Sequence, residues 1–261
     1  MEGKKPQHDV LQSDSRPREK RKKMGESRRD LTDHLEAYLA RRDGVDKLLK
    51  ISRYAAKLAL ASSLTAGRPD LHRRLKSFDS SVGVSRKAFR LGKFVQDLNA
   101  LKRTRLDSGK GVLGLIAYGG EGAYYFVEQF VWLAKTGLID GRRAAGFQRV
   151  SAWAELVGYI GSVALKVLDL RTILDEAARL GTTVKTLRAD GRAVENEAGE
   201  LQKLQAKAML KQLSIVQDIA DALMAIGDLQ DGKGFLSNPI VIASAGLLSA
   251  LISTHKNWTS C

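Results

Sequence analysis

The chain has 261 residues, 44% of them hydrophobic and 28% charged, and a formal net charge of +14. That balance excludes a fully disordered chain and a simple multi-span membrane protein, and the length suffices to bury a sizeable core. The single cysteine, Cys261, excludes an internal disulfide framework and a cysteine-based zinc site.

The charge is unevenly placed. Residues 1–111 hold 28 Lys and Arg against 14 Asp and Glu, whereas residues 112–261 hold 15 of each. The front of the chain suits a polyanion, either nucleic acid or anionic headgroups, and the back is neutral and more apolar. Few prolines and abundant Ala, Leu, Lys and Arg point to an all-α chain.

Residues 1–28 are polar, carry the run Arg18-Glu19-Lys20-Arg21-Lys22-Lys23 and lack the apolar stretch of a secretory signal, so they read as a disordered basic tail. Residues 29–111 read as a basic amphipathic helical region. Within it, 31–64 forms one helix or two, capped by Asp30 or Thr32, with a slip near Gly44 and a break at Gly67-Arg68-Pro69-Asp70. Val84, Ala88, Leu91, Val95 and Leu98 then recur at helical spacing, with Arg86, Lys87, Arg90 and Lys93 on other faces. One cationic amphipathic helix over Val84–Leu101 is expected. Such a helix packs on a core or lies in a membrane interface, where each basic group near an anionic surface contributes about 1 kcal/mol.

Residues 112–174 read as hydrophobic, membrane-associated helices. Glu121, Glu128 and Lys135 interrupt the first, and an unshielded carboxylate at the centre of a span costs roughly 2.5–3.5 kcal/mol. The second carries Gly158, Gly161 and Ser162, which allow close helix approach. Arg142, Arg143 and Arg149 between the two run against the positive-inside tendency if the first crosses from the cytosol. Residues 175–234 form a charged helical connector with a break at Ala189-Asp190-Gly191. Residues 235–261 form the membrane-anchor candidate. Asn238 caps a helix with Pro239 at its first position, and no charge occurs from Pro239 to Thr254. That uncharged stretch alone gives about 24 Å, short of the ~30 Å hydrocarbon core, and flanking residues complete the span. Ala243, Gly246, Ala250 and Ser253 form a small-residue stripe assigned to helix packing and self-association.

Gly109-Lys110-Gly111-Val112-Leu113-Gly114 matches a dinucleotide fingerprint, but a basic helical segment precedes it where a strand is required. The four histidines are scattered. No catalytic constellation stands out, so no enzyme, cofactor or metal is expected.

Three stretches resemble the peroxin eleven family of peroxisomal membrane proteins. Tyr38-Leu39-Ala40-Arg41-Arg42-Asp43-Gly44-Val45-Asp46-Lys47-Leu48-Leu49-Lys50, running on to Tyr54-Ala55-Ala56-Lys57, is similar to the family's N-terminal helix. Ser85-Arg86-Lys87-Ala88-Phe89-Arg90-Leu91-Gly92-Lys93-Phe94 matches its R-K-x-x-R-L-x-K element, and Trp132-Leu133-Ala134-Lys135-Thr136-Gly137-Leu138 its W-x-x-K-x-G-L element. The resemblance covers about residues 31–255 and identifies a plant-like member. It implies an integral protein of the peroxisomal membrane with cytosolic termini, which elongates, multiplies and divides peroxisomes. It also implies an amphipathic helix inserted in the cytosolic leaflet, self-association, and recruitment of a fission adaptor and a dynamin-related protein. Mapped here, Arg86, Lys87, Arg90 and Lys93 would attract an anionic phospholipid membrane, while Phe89, Leu91, Phe94, Val95 and Leu98 would insert. The rival readings are a soluble helical nucleic-acid binder using the basic front half and a peroxisomal solute channel lined by Glu121, Glu128 and Lys135. The main reading expects no nucleic-acid partner.

Overall fold

The computed structural model describes residues 30–230 and 234–261, so the basic tail at 1–28 lies outside the described residues. Among the described residues the regular structure is entirely helical. The chain divides after Ala37, and the compact unit Tyr38–Cys261 carries the features below.

Helix α1 spans Leu31–Leu39, with the Asp30 carboxylate accepting from the Leu31 N–H at 2.7 Å. Helix α2 spans Arg42–Ala61, so the expected slip near Gly44 is a break at Ala40–Arg41. Helix α3 spans Pro69–Phe89 and α4 spans Phe94–Arg103. The single helix expected over Val84–Leu101 is therefore two. Gly92 sits at φ +75°, a left-handed conformation that ends the helix and that glycine alone adopts without strain.

Helix α5 spans Gly109–Lys135, its start capped by the Ser108 hydroxyl, which accepts from the Gly111 N–H at 3.2 Å. The glycine-rich match thus opens a helix and follows no strand. Helix α6 runs 46 residues, Ala144–Ala189, and α7 spans Glu195–Leu229. The break expected at Ala189-Asp190-Gly191 is present, with Gly191 at φ +69°. The change from apolar to charged composition at 174/175 falls inside α6 and makes no break, since no glycine or proline stands there. Helix α8 spans Pro239–Thr259, and the Asn238 side chain accepts from the Ile240 N–H at 2.9 Å. Its 21 residues give about 31 Å, matching a hydrocarbon core of ~30 Å. Among the described residues, α8 is the helix long and apolar enough to cross a membrane.

The helices pack α5 on α6, α6 on α7, α2 on α3 and α8, α7 on α8, and α4 on α5. Glycines set the α5–α6 crossing: a Cβ on Gly120 would lie 2.4 Å from the Gly158 nitrogen, and one on Gly161 2.5 Å from the Ala117 nitrogen. The close approach expected of Gly158 and Gly161 is realised there.

Burial is mixed: beside an apolar core that includes Tyr38, Val131 and Ile173, several charged side chains lie inside and several large apolar ones lie outside. Asp46, Lys50, Arg86, Glu128, Asp218 and Asp221 are buried, while Trp153, Val157, Ile160, Phe126, Leu248 and Leu251 are exposed. Val150, Trp153, Val157 and Ile160 lie on one outward face of α6 by their spacing, opposite the inward Ser151, Glu155, Gly158 and Ser162. The exposed apolar side chains on α5, α6 and α8 leave apolar surface on the outside of the bundle, and the buried charges are paired within it.

Candidate membrane-contact site

The residues assigned to membrane contact divide into two groups that the structure treats oppositely. The basic group turns inward. Asp46, 3% exposed, accepts from Arg86 Nε at 2.9 Å, with Arg90 Nε at 3.6 Å and Lys47 Nζ at 3.4 Å. Burial works against the Asp46 carboxylate, but the charges of Arg90, Arg86 and Lys47 outweigh it and hold its pKa well below the usual range. Lys87 donates to Glu128, and Arg90 donates to the Tyr124 hydroxyl at 2.7 Å. Lys50 donates to Asp221 at 2.7 Å and to the Ser249 hydroxyl at 2.6 Å, tying α2 to α7 and α8.

Arg86, Lys87 and Arg90 thus do not present the outward basic face expected of them. The reason is that Asp46 and Glu128, themselves desolvated, require cations, and the last turn of α3 carries Arg86 and Lys87 beside them, with Arg90 at its C-cap. Glu128 is shielded in this way, which removes much of its cost within an apolar helix. Lys93 stays at the margin, its side chain 19% exposed, 3.7 Å from Asp43 and stacked over the Tyr125 ring.

The apolar group turns partly outward. Val95 and Leu98 on α4 are each 45% exposed. Phe89 and Leu91 are half-buried at the turn, and Phe94 is half-buried against Phe126 with ring centroids 5.5 Å apart. From there a row of rings crosses the surface, Phe126 to Phe130 at 5.4 Å and Phe130 to Phe147 at 5.6 Å, joining α4, α5 and α6. Phe126 and Phe130 are themselves exposed. Phe126, Phe130 and Phe147 were not singled out from the sequence; the seven-residue repeat from Phe126 to Leu133 hints at a stripe, but only packing shows which side faces out.

The small stripe of α8 lies inside the chain. Ala243, Gly246, Ala250 and Ser253 are all buried, and the Tyr54 ring of α2 lies so close to Gly246 that a Cβ there would fall 2.3 Å from it. Helix packing, one half of the expectation, is what these residues do. Helices α2 and α7 pack on that face within the chain. The opposite face of α8 exposes Ile240, Leu248 and Leu251.

Two of the motif stretches converge. The start of α2 supplies Asp43, Asp46, Lys47 and Lys50, and the end of α3 with its turn supplies Arg86, Lys87, Arg90 and Lys93. Packing of α2 against α3 brings the two stretches into one shared ion cluster. Among the described residues, no group of three or more His, Cys, Asp or Glu side chains is placed to hold a metal.

A family model described as "Peroxisomal biogenesis factor 11 (PEX11)" matches residues 32–258. The chain is similar to Peroxisomal membrane protein 11A of Arabidopsis thaliana, 59% identical over 234 residues, which is 89% of this chain and 94% of the relative. It is similar to Peroxisomal membrane protein 11-3 of Oryza sativa subsp. japonica, 55% identical over 89% of this chain and 91% of the relative. Peroxisomal membrane protein 11B of Arabidopsis thaliana is 30% identical over 88% of this chain and 99% of the relative. No solved structure matches the chain.

Proposed function

The chain belongs to the peroxisomal biogenesis factor 11 family, and from that membership we propose that it bends the peroxisomal membrane by wedging α4 and its aromatic neighbours into one leaflet. It is a peroxisomal membrane protein that acts in peroxisome proliferation, a role of biogenesis rather than of catalysis. Helix α8 anchors it in the membrane. Exposed Val95 and Leu98 enter the acyl boundary beside Phe126 and Phe130. An apolar wedge confined to one leaflet widens that leaflet and favours curvature. Self-association concentrates the effect, through surfaces other than the α8 stripe. A fission adaptor and a dynamin-related protein then act on the elongated membrane.

The observation that carries this reading is the exposed apolar surface of Val95, Leu98, Phe126, Trp153 and Ile160, together with ion pairs buried inside the bundle. It also weighs against a nucleic-acid binder, because Arg86 and Lys87 are engaged internally.

The test is tubulation of vesicles containing anionic phospholipid by the full chain and by a Val95→Glu, Leu98→Glu variant. Both positions already touch solvent, so the variant should keep its helicity by circular dichroism. Tubulation is expected to be lost. A variant that folds and tubulates as the wild type does would overturn the wedge.

A further inference from the structure

Beneath the wedge lies a cavity of about 270 Å³ whose walls carry nine Lys and Arg side chains against six Asp and Glu. Three of its carboxylates are paired, Glu128 by Lys87, Asp221 by Lys50 and Asp218 by Lys166, and Glu121, Glu155 and Asp228 complete its acidic lining. Near the entrance the balance fails. Lys47, Arg90 and Lys93 have side chains 16%, 17% and 19% exposed, and their nearest carboxylate contacts are long, at 3.4, 3.6 and 3.7 Å. Two of the three share Asp46, which already accepts a short bond from Arg86. The third faces Asp43, whose side chain is 55% exposed and largely hydrated. Burial, and the neighbouring Lys93, Arg90 and Lys50 charges, hold the Lys47 pKa down at about 8 despite Asp46. Crowded cations in a partly desolvated entrance are unfavourable unless a further anion joins them.

We infer that Lys47, Arg90 and Lys93 form a binding site for a phosphate monoester at the junction of α2 with the α3–α4 turn. A guanidinium and two ammonium groups lining one cavity suit a tetrahedral dianion, although one arm of the guanidinium already donates to the Tyr124 hydroxyl. A second cavity meets the first at Lys93 and adds Arg41 and Arg42 against Asp43 alone, so the cationic surface continues outward. The phosphate group has two sources, a soluble metabolite or a lipid headgroup. Lys93 immediately precedes α4, with Val95 two residues on, and that adjacency favours the lipid. The lipid assignment rests on the membrane reading above; the phosphate site itself does not.

The test uses the full chain in neutral detergent micelles, titrated calorimetrically at constant chloride with inorganic phosphate, with dihexanoyl phosphatidic acid and with dihexanoyl phosphatidylcholine. Saturable binding of the phosphatidic acid is expected, weakened about tenfold or more by a Lys47→Gln, Lys93→Gln variant that leaves Arg90 in its network. Phosphatidylcholine, whose phosphate is a diester beneath a cation, should not bind there. Equal saturable binding of inorganic phosphate supports the site and assigns a soluble source; binding confined to phosphatidic acid supports it and assigns the lipid. Absence of saturable binding by either monoester, or equal affinity in the folded variant, overturns the site. If the site fails while Val95→Glu, Leu98→Glu still abolishes tubulation, the wedge stands without it. If the monoester binds but that variant tubulates normally, the wedge falls and the site remains.

Discussion

Replacing Asp46 by alanine tests the internal charge network most directly. Asp46 is 3% exposed and Arg86 4% exposed, so the substitution leaves a guanidinium buried beside Arg90 and Lys47 with its closest acceptor gone. Removing one member of a buried pair costs about 3–5 kcal/mol, because the surviving charge keeps its desolvation penalty. Against a whole-domain stability of about 5–15 kcal/mol, that is about a fifth or more. Unfolding of the chain in mixed micelles, followed by tryptophan fluorescence, should show the midpoint fall accordingly. The companion is Asp46→Leu with Arg86→Met, which removes both charges and refills the volume. It should recover most of the loss, since a buried pair and its apolar replacement are often close in stability. The sign with pH follows from the depressed Asp46 pKa: its contribution is fully present above the unfolded value of about 3.8 and declines as acid protonates the folded carboxylate. The alanine variant should lack that acid-side decline. A loss below about 1 kcal/mol, or a double variant no more stable than Asp46→Ala, would refute the claim that the pair is desolvated and interdependent.

At the α5–α6 crossing, Gly161→Val places a Cβ 2.5 Å from the Ala117 nitrogen and should lower the thermal midpoint while helical circular dichroism persists. The cost expected of such overpacking is about 1–3 kcal/mol, whereas Gly146→Ala on the same helix, with open space around it, should leave the midpoint unchanged or slightly raised. On α4, burial and then the Glu121 charge push the Asp97 pKa up to about 7. The folded chain therefore binds more protons than the unfolded one between about pH 3.8 and 7, and stability falls as pH rises through that window. Asp97→Asn should flatten this slope in unfolding midpoints measured from pH 4 to 8; an unchanged slope would assign it to other groups.

Much of the architecture was legible along the chain. Helix was written in residue choice, and the ends of α3, α6 and α8 were marked by Gly67-Arg68-Pro69, Gly191 and Asn238-Pro239. Local signals of this kind work because caps and turns depend on a few neighbouring residues. The family was legible too, in the stretches Tyr38–Lys50 and Ser85–Phe94, which are the same stretches that meet around Asp46. The break at Gly92 was missed because the apolar spacing of Val84, Ala88, Leu91, Val95 and Leu98 continues smoothly across it. Periodicity counts residues and does not see a left-handed glycine between them.

From the sequence alone came an all-α chain, a basic front half, one apolar helix near the end long enough to cross a bilayer, and the family. Those are properties of composition, local pattern and motif. The direction each face points was decided only by the tertiary structure. Arg86, Lys87 and Arg90 face inward because Asp46 and Glu128, distant in sequence, offer them charges that must be neutralised. The small stripe of α8 is spent on α2 and α7 because only residues of that size let Tyr54 and Lys50 approach. A helical pattern separates one face from another, but which face meets lipid and which meets a neighbouring helix depends on partners that come from the rest of the fold.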